Sequence, residues 1–308
     1  MCITNKRGER MKPKVSVIIP SYGGSNSIIS AVNSVLNQTY DNYEVIVVDD
    51  NNPETEERRK TEGYMKKFSA NEKVKYIKHS QNKGGSAARN TGVANSKGVF
   101  ICLLDDDDLF LPEKLEMQVD FLETHPEHGA CYCWRKQNGR VICGEEEGDL
   151  SEALLDLSFT TTTDAIMIRR ECYLALNGFD ESYRRHQDFE FMLRFYKIYS
   201  IGVVKKVLIE IVGNDINNQP KGEKLYEVKR QFFCQFGEEI ERINKNKKGY
   251  RKKVYAEHFA RAFKEMLRHG NLVLAVKIYF EYGYRGGFQF WKVFFNCCFL
   301  GMKERMER

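Results

Sequence analysis

The residues of this 308-residue chain that could do chemistry are carboxylates, and they are clustered. Four consecutive aspartates, Asp105 to Asp108, follow the apolar run Val99 to Leu104, and the pair Asp49-Asp50 follows Glu44-Val-Ile-Val-Val48. Adjacent carboxylates repel one another, so a strand that delivers four of them to one point needs a compensating cation or donor groups. Oxygen ligands of this kind suit Mg2+ or Mn2+, which take one or two carboxylates and fill the remaining positions with water and substrate phosphates. The competing use of the same run is as an acidic flank for the helix that follows, which the helix dipole favours. One or two of the four can serve both purposes.

Positioning these groups requires strands. Val15 to Ile19 is a short β-branched run ending at Pro20 and the turn-like Ser21-Tyr-Gly-Gly-Ser25. Ser27 to Leu36 has apolar residues at helical spacing, and Glu44 to Val48 reads as a second strand. Val74 to Ile77 and Val99 to Leu104 continue the strands, with a small-residue helix over Gly85 to Asn95 between them. Strands alternating with helices predict an α/β fold with a mostly parallel sheet covered on both faces. Pro112 suits the first position of a helix running to about His125. Ala130 to Trp134 and Val141 to Cys143 flank Asn138-Gly139, a hairpin signal. Strand, helix, helix and strand follow at Ala165 to Ile168, Glu171 to Leu176, Gln187 to Tyr199 and Gly202 to Val212. In such sheets ligands bind beyond the carboxyl ends of strands, near the point where strand order reverses, and both acidic clusters lie at strand ends.

Beyond Pro220 the strand pattern stops and basic amphipathic stretches begin. We place a boundary near residue 216, with a catalytic domain over 14–216 and a basic helical region over 217–308. The net charge of +5 conceals an asymmetry: residues 221–308 carry 20 Lys and Arg against 10 Asp and Glu. Met1 to Lys14 lacks the apolar core of a signal peptide, and the scattered cysteines suit a reducing compartment, so the expectation is a cytoplasmic protein without disulfides. A zinc site drawn from His125, His128, Cys131 and Cys133 has irregular spacing. There is no Gly-x-Gly-x-x-Gly after the first strand and no P-loop, which disfavours dinucleotide and P-loop chemistry.

Taken together, Val15-Ser-Val-Ile-Ile-Pro-Ser-Tyr22, Val47-Val-Asp-Asp50, Asn82-Lys-Gly-Gly-Ser-Ala-Ala-Arg-Asn90, and Leu104-Asp-Asp-Asp-Asp108 with Pro112-Glu-Lys-Leu115 resemble the successive blocks of the family 2 glycosyltransferases, which have the GT-A fold. The resemblance covers roughly residues 14 to 215. It implies that Pro20, Tyr22 and Asp49 line the nucleobase pocket, with Asp49 meeting the base. It implies that Asp107 binds the metal, Mn2+ or Mg2+, and that Asp105 or Asp106 meets the ribose, with Lys83 on a loop near the donor. Gly178 to Glu190 resembles the family's second signature, in which Asp188 matches the acidic residue that deprotonates the acceptor hydroxyl; Gln187 stands where Glu is usual. Arg184 and Arg185 precede that helix.

The expected reaction is inverting transfer of a sugar from a nucleotide-diphosphate donor, a UDP-sugar by preference, to a glycan or lipid-linked sugar acceptor in surface-polysaccharide synthesis, with no nucleic-acid partner. A nucleotidyltransferase of the same fold and a non-catalytic sugar or nucleic-acid binding module are the alternatives, and Ser21 to Ser25 lacks the basic residue the former needs. The loop Ser158 to Thr163 is expected to help shape the pocket. Phe288 to Leu300, apolar and aromatic with Lys303 and Arg305 beyond, is too short to span a bilayer. It predicts either an interfacial helix at the inner face of the membrane or packing onto the catalytic domain or a second subunit of a homodimer.

Overall fold

The computed structural model describes residues 14–213 and 222–306, with side chains to residue 299. The boundary expected near residue 216 and the Met1 to Pro13 segment lie outside the described residues. The chain divides into two units, one of residues 1–150 with 161–214 and one of 151–160 with 215–308.

In the first unit the strands β1 (Val15–Ser21), β2 (Tyr43–Asp49), β3 (Val74–Lys78) and β4 (Phe100–Leu103) pair in parallel in the order β3-β2-β1-β4. They are the near-continuous apolar runs of the sequence, and the side chains of Val17, Ile19, Val45, Val47 and Cys102 are buried. Helix α1 (Ser27–Leu36) buries Ile28, Ala31, Val32 and Val35, the stripe its spacing demands. Helix α3 (Gly85–Ala94) lies close on β1 because it is built of small residues. A Cβ added at Gly92 would come 2.2 Å from Cγ2 of Ile18.

Past β4 the sheet turns mixed. It continues through β8 (Ile166–Arg169), β6 (His128–Gln137), β9 (Ser200–Ile211) and the short β5 (Leu109–Phe110), with β7 (Arg140–Ile142) on β6. The β4/β8, β6/β8, β6/β7 and β5/β9 pairs are antiparallel and β6/β9 is parallel. Parallel order thus holds through β4 and gives way at β8, which runs antiparallel to both β4 and β6, while the hairpin at Asn138 (φ 51°) and Gly139 (φ 73°) adds β7 to the edge of β6. Helices α4 (Lys114–Thr124), α6 (Arg170–Ala175) and α7 (Gln187–Tyr196) complete the unit.

Two helices, Glu56–Met65 and Ser151–Leu155, have no counterpart in the sequence reading. Helix α2 (Glu56–Met65) buries only Arg58, Thr61 and Met65. Two of these are polar, so the apolar period that reveals an amphipathic helix is missing.

The second unit is helical: α8 (Glu223–Asn246), α9 (Tyr250–Arg268), α10 (Leu272–Glu281) and α11 (Phe288–Met306). Its core is aromatic, with Phe233 against Phe259 at 4.6 Å and Phe259 stacked on Tyr282 at 4.5 Å between ring centroids. Helix α5 (Ser151–Leu155) and the residues after it belong to this unit. Tyr250 donates to the Glu152 carbonyl at 2.7 Å, and Lys253 pairs with Asp156 at 2.7 Å. The Ser158 to Thr163 loop is accordingly divided, 158–160 in the helical unit and 161–163 in the sheet unit.

Candidate active site

The strand order reverses at β1, whose neighbours are β2 on one side and β4 on the other. The acidic run leaves β4 at this switch point, where α/β sheets bind ligands. The backbone N–H of Tyr22, just past β1, donates to Asp106 at 3.3 Å, which joins the two strand exits.

The four aspartates have four different environments. Asp105 accepts from Arg89 Nη2 at 2.5 Å, while its own N–H donates to Asp164 at 3.0 Å. Asp106 is desolvated at the strand exit, and that burial, with the charges of Asp105 and Asp107 beside it, pushes its carboxyl up to about 7. Asp107 is exposed, and Gly213 lies so near that a Cβ there would come 2.2 Å from its carboxylate. Asp108 turns inward and accepts from the N–H groups of Val212 (2.8 Å) and Gly213 (3.0 Å). It therefore ties the end of β9 to the site. The helix expected from Pro112 begins at Lys114.

Asp164 was not legible as a site residue. It is buried in the turn before β8, and burial, then the charges of Asp105 and Asp108, raises its pKa well above the usual carboxylate range. Its hydrogen bond with Asp108 raises its pKa further and lowers that of Asp108, so of the two Asp164 is the one that favours the neutral form.

Arg89 is the cation of this site. It is buried midway along α3 and interacts electrostatically with Asp105, Asp164 and Asp188. The compensating charge demanded by four adjacent carboxylates is thus supplied in part by the protein. Arg89 lies within the third sequence block, but nothing in its spacing pointed to the aspartates.

Asp188 occupies the first turn of α7, after His186 at φ 60°. Burial raises its pKa, opposed by the Phe189 N–H and the charge of Arg89. The Gly178 to Glu190 segment is held onto α3. Asn90 donates to the Phe179 carbonyl (2.9 Å) and accepts from the Phe179 N–H (2.9 Å) and the Tyr173 hydroxyl (2.7 Å).

The other expected donor residues divide. Tyr22 is exposed, Pro20 half-buried at the end of β1, and Lys83 exposed on its loop, where its carbonyl accepts from Arg184 Nη1 at 3.1 Å. Asp49 is fully buried. It accepts from the N–H and the amide of Asn51 (both 2.9 Å) and from the Tyr76 hydroxyl, and pairs with Arg58 Nε at 3.2 Å. It forms the floor beneath the β1–β2 exits. Asp50, whose role the sequence left open, binds the 82–84 loop: it accepts from the N–H groups of Lys83 (2.8 Å) and Gly84 (2.7 Å) and from the Asn82 amide (3.0 Å), with His79 at 2.7 Å.

Among the described residues no three His, Cys, Asp or Glu side chains are placed to hold a metal by themselves. The zinc alternative falls with this. His125 and His128 stack with Phe121, and the thiols of Cys131 and Cys133 are buried and directed at the carbonyls of Gln118 and Ala165.

A mixed sheet with a parallel half and an aspartate run at its switch point is the architecture expected of the GT-A fold. Residues 16–142, all within the sheet unit, match the family described as glycosyl transferase family 2. A glycosyltransferase of Rickettsia bellii is 44% identical over 112 residues, 36% of this chain and 15% of that protein. The Escherichia coli protein WfgD, a UDP-Glc:alpha-D-GlcNAc-diphosphoundecaprenol beta-1,3-glucosyltransferase, is 37% identical over 108 residues, 35% of this chain and 40% of WfgD. The matches to these relatives therefore span well under half of their length. In fold, the chain is similar to S. aureus TarS 1-349 in complex with UDP, with a TM-score of 0.56, 17% identity, and 92% and 90% of the two chains covered. It is likewise similar to the complex of that protein with UDP-GlcNAc, with a TM-score of 0.56, 18% identity, and 92% and 79% covered. The similarity establishes the fold.

Proposed function

We propose that this protein transfers a sugar, with inversion, from a nucleotide-diphosphate donor to a hydroxyl acceptor in cell-surface polysaccharide synthesis. The observation that carries this is the position of Arg89, which interacts with Asp105 of the donor-side run and Asp188 of α7 together. A donor-side carboxylate cluster and a separate carboxylate on a helix start are what displacement by one general base requires.

In this reading Tyr22 and Pro20 flank the base and Asp49 fixes the pocket floor; direct contact of Asp49 with a base exchanges its Tyr76 or Asn51 bond for one to the base. Asp105 or Asp106 meets the ribose, Lys83 approaches the diphosphate, and Asp188 removes the acceptor proton. The uridine-binding relatives support a UDP-sugar, and the acceptor in the name of WfgD supports a lipid-linked sugar.

The donor set fits Mg2+ or Mn2+. Asp107 is an exposed hard-oxygen ligand beside Asp106, and a site without three protein ligands suits an ion that takes substrate phosphate oxygens. Such an ion, when bound, neutralises charge developing on the leaving diphosphate. Asp107→Ala is expected to abolish Mn2+-dependent UDP binding in calorimetry. Retained metal-dependent binding would show that Asp107 is not the ligand.

A further inference from the structure

Helices α10 and α11 each carry an outward apolar stripe that the unit does not bury. On α10 it is Val273, Val276 and Phe280, spaced three and four residues apart. On α11 it is Phe288, Phe295 and Phe299, spaced seven and four apart, with the half-buried Trp291 between. The six side chains are 44% to 86% exposed. Trp291 joins the two helices, its ring 5.3 Å from Tyr279 of α10 and 6.3 Å from Phe295 of α11. Single exposed apolar residues are ordinary, but two apolar stripes on helices that meet through ring contacts are not.

The charge pattern selects the occupant. Lys277 follows Val273 by four residues and Lys292 follows Phe288 by four, so each stripe has an exposed lysine on its flank. Over residues 272–299 the charged side chains are Lys277, Arg285, Lys292 and one acid, Glu281, which is hydrogen-bonded to the Tyr226 hydroxyl. A two-fold dimer through this face would gather the basic groups of both copies with few acids to pair them. An anionic lipid surface complements them and accepts the aromatic rings at headgroup depth. Among the described residues no helix is long and apolar enough to cross a membrane.

We propose that α10 and α11 form a peripheral binding face for anionic lipid, in which the rings of α10 and α11 enter the headgroup region together. The proposal rests on the lipid-linked acceptor reading above for its purpose and widens the contact beyond the α11 stretch singled out in the sequence.

The test is sedimentation of the full chain with vesicles of phosphatidylcholine alone and of phosphatidylcholine with phosphatidylglycerol. The chain should pellet with the anionic vesicles and be released by high salt. Val273→Ser/Phe280→Ser/Phe288→Ser should weaken partitioning more than about tenfold, and Lys277→Glu/Lys292→Glu should remove its salt dependence. Both variants alter exposed positions and should melt as wild type does. A wild-type chain that stays in the supernatant overturns the proposal, as does a triple variant that pellets equally well. So does a dimer in sedimentation equilibrium that the triple variant dissolves while vesicles bind neither form. Donor hydrolysis in vesicle-free solution reports on the catalytic reading separately, and the triple variant should retain it in full. Its absence from wild type refutes the catalytic reading without touching the vesicle result.

Discussion

Arg89 Nη2 stands 2.5 Å from a carboxylate oxygen of Asp105, which joins the middle of α3 to the exit of β4. The arginine is buried, whereas the Asp105 side chain is 41% exposed, so the pair is only partly shielded from water. Removing the arginine also leaves Asp164 and Asp188 without their shared cation. Arg89→Ala is expected to cost about 2–3 kcal/mol in denaturant unfolding, below the range for fully buried pairs. Arg89→Lys keeps the charge without the fork and should fall between. If Arg89→Ala unfolds at the wild-type denaturant midpoint, the pair is ornamental.

Asp188→Asn is expected to lower kcat by about 10²–10⁴-fold, the usual worth of a general base, and to leave UDP affinity unchanged. Because burial raises the pKa of Asp188, the acid limb of kcat should lie above the ordinary carboxylate range. The same shift acts on stability with a definite sign. A carboxyl protonated more readily in the folded state contributes most at low pH, and that contribution is lost as pH rises through its folded pKa. At neutral pH the variant should therefore be no less stable than wild type while being inactive. A variant both unfolded and inactive would leave the Asp188 carboxylate a structural part; pH-independent activity in wild type would remove it as the base.

Gly84 carries φ 95° and ψ 162°, a region essentially closed to residues with a Cβ. It lets the 82–84 loop present two N–H groups to Asp50, and so sets where Lys83 stands. Gly84→Ala should cost about 1–3 kcal/mol and raise the donor KM. An added Cβ would also meet Arg184 Nη1 at 2.3 Å, but that is the far end of a flexible side chain. Adding Arg184→Ala should leave the stability loss in place. Rescue by the second change would mean that crowding, not backbone strain, governs the position.

What was legible in the sequence was local. β1, α1, β2, β3, α3 and β4 follow from contiguous apolar runs or helical spacing, and Asp105 to Asp107 stand out as candidates because a strand ends on charge. What was not legible is long-range or polar. Arg58 reaches Asp49 from a helix that buries polar side chains. Asp164 meets Asp105 from 59 residues away. Arg89 reads as one more polar position on a small-residue helix until the fold sets it beside Asp105. Residues 151–160 pack with helices about a hundred positions later, a membership that no reading in chain order reveals.

The helical unit contains a buried lysine whose titration should be visible in its stability. Lys229 Nζ lies 3.0 Å from His258 Nδ1, and His258 Nε2 lies 2.9 Å from the Leu155 carbonyl. The carbonyl can only accept, so Nε2 carries the proton and Nδ1 accepts from the lysine. Burial lowers the Lys229 pKa to about 7 from its ordinary 10.5, with Arg261 adding repulsion. Between those two values the unfolded chain binds a proton that the folded chain does not, so stability rises with pH across that window. Lys229→Met should flatten this slope. Because it replaces a desolvated amine by a group of similar length, it should stabilise the unit at pH 7 by about 1 kcal/mol or more, or roughly 4–8 °C in Tm per kcal/mol for a unit of this size. Thermal melts of both proteins at pH 7 and pH 9 decide the matter: the wild-type Tm must rise relative to the variant on going to pH 9. A gap that is constant or widens in the variant's favour would mean that Lys229 is charged in the folded state throughout.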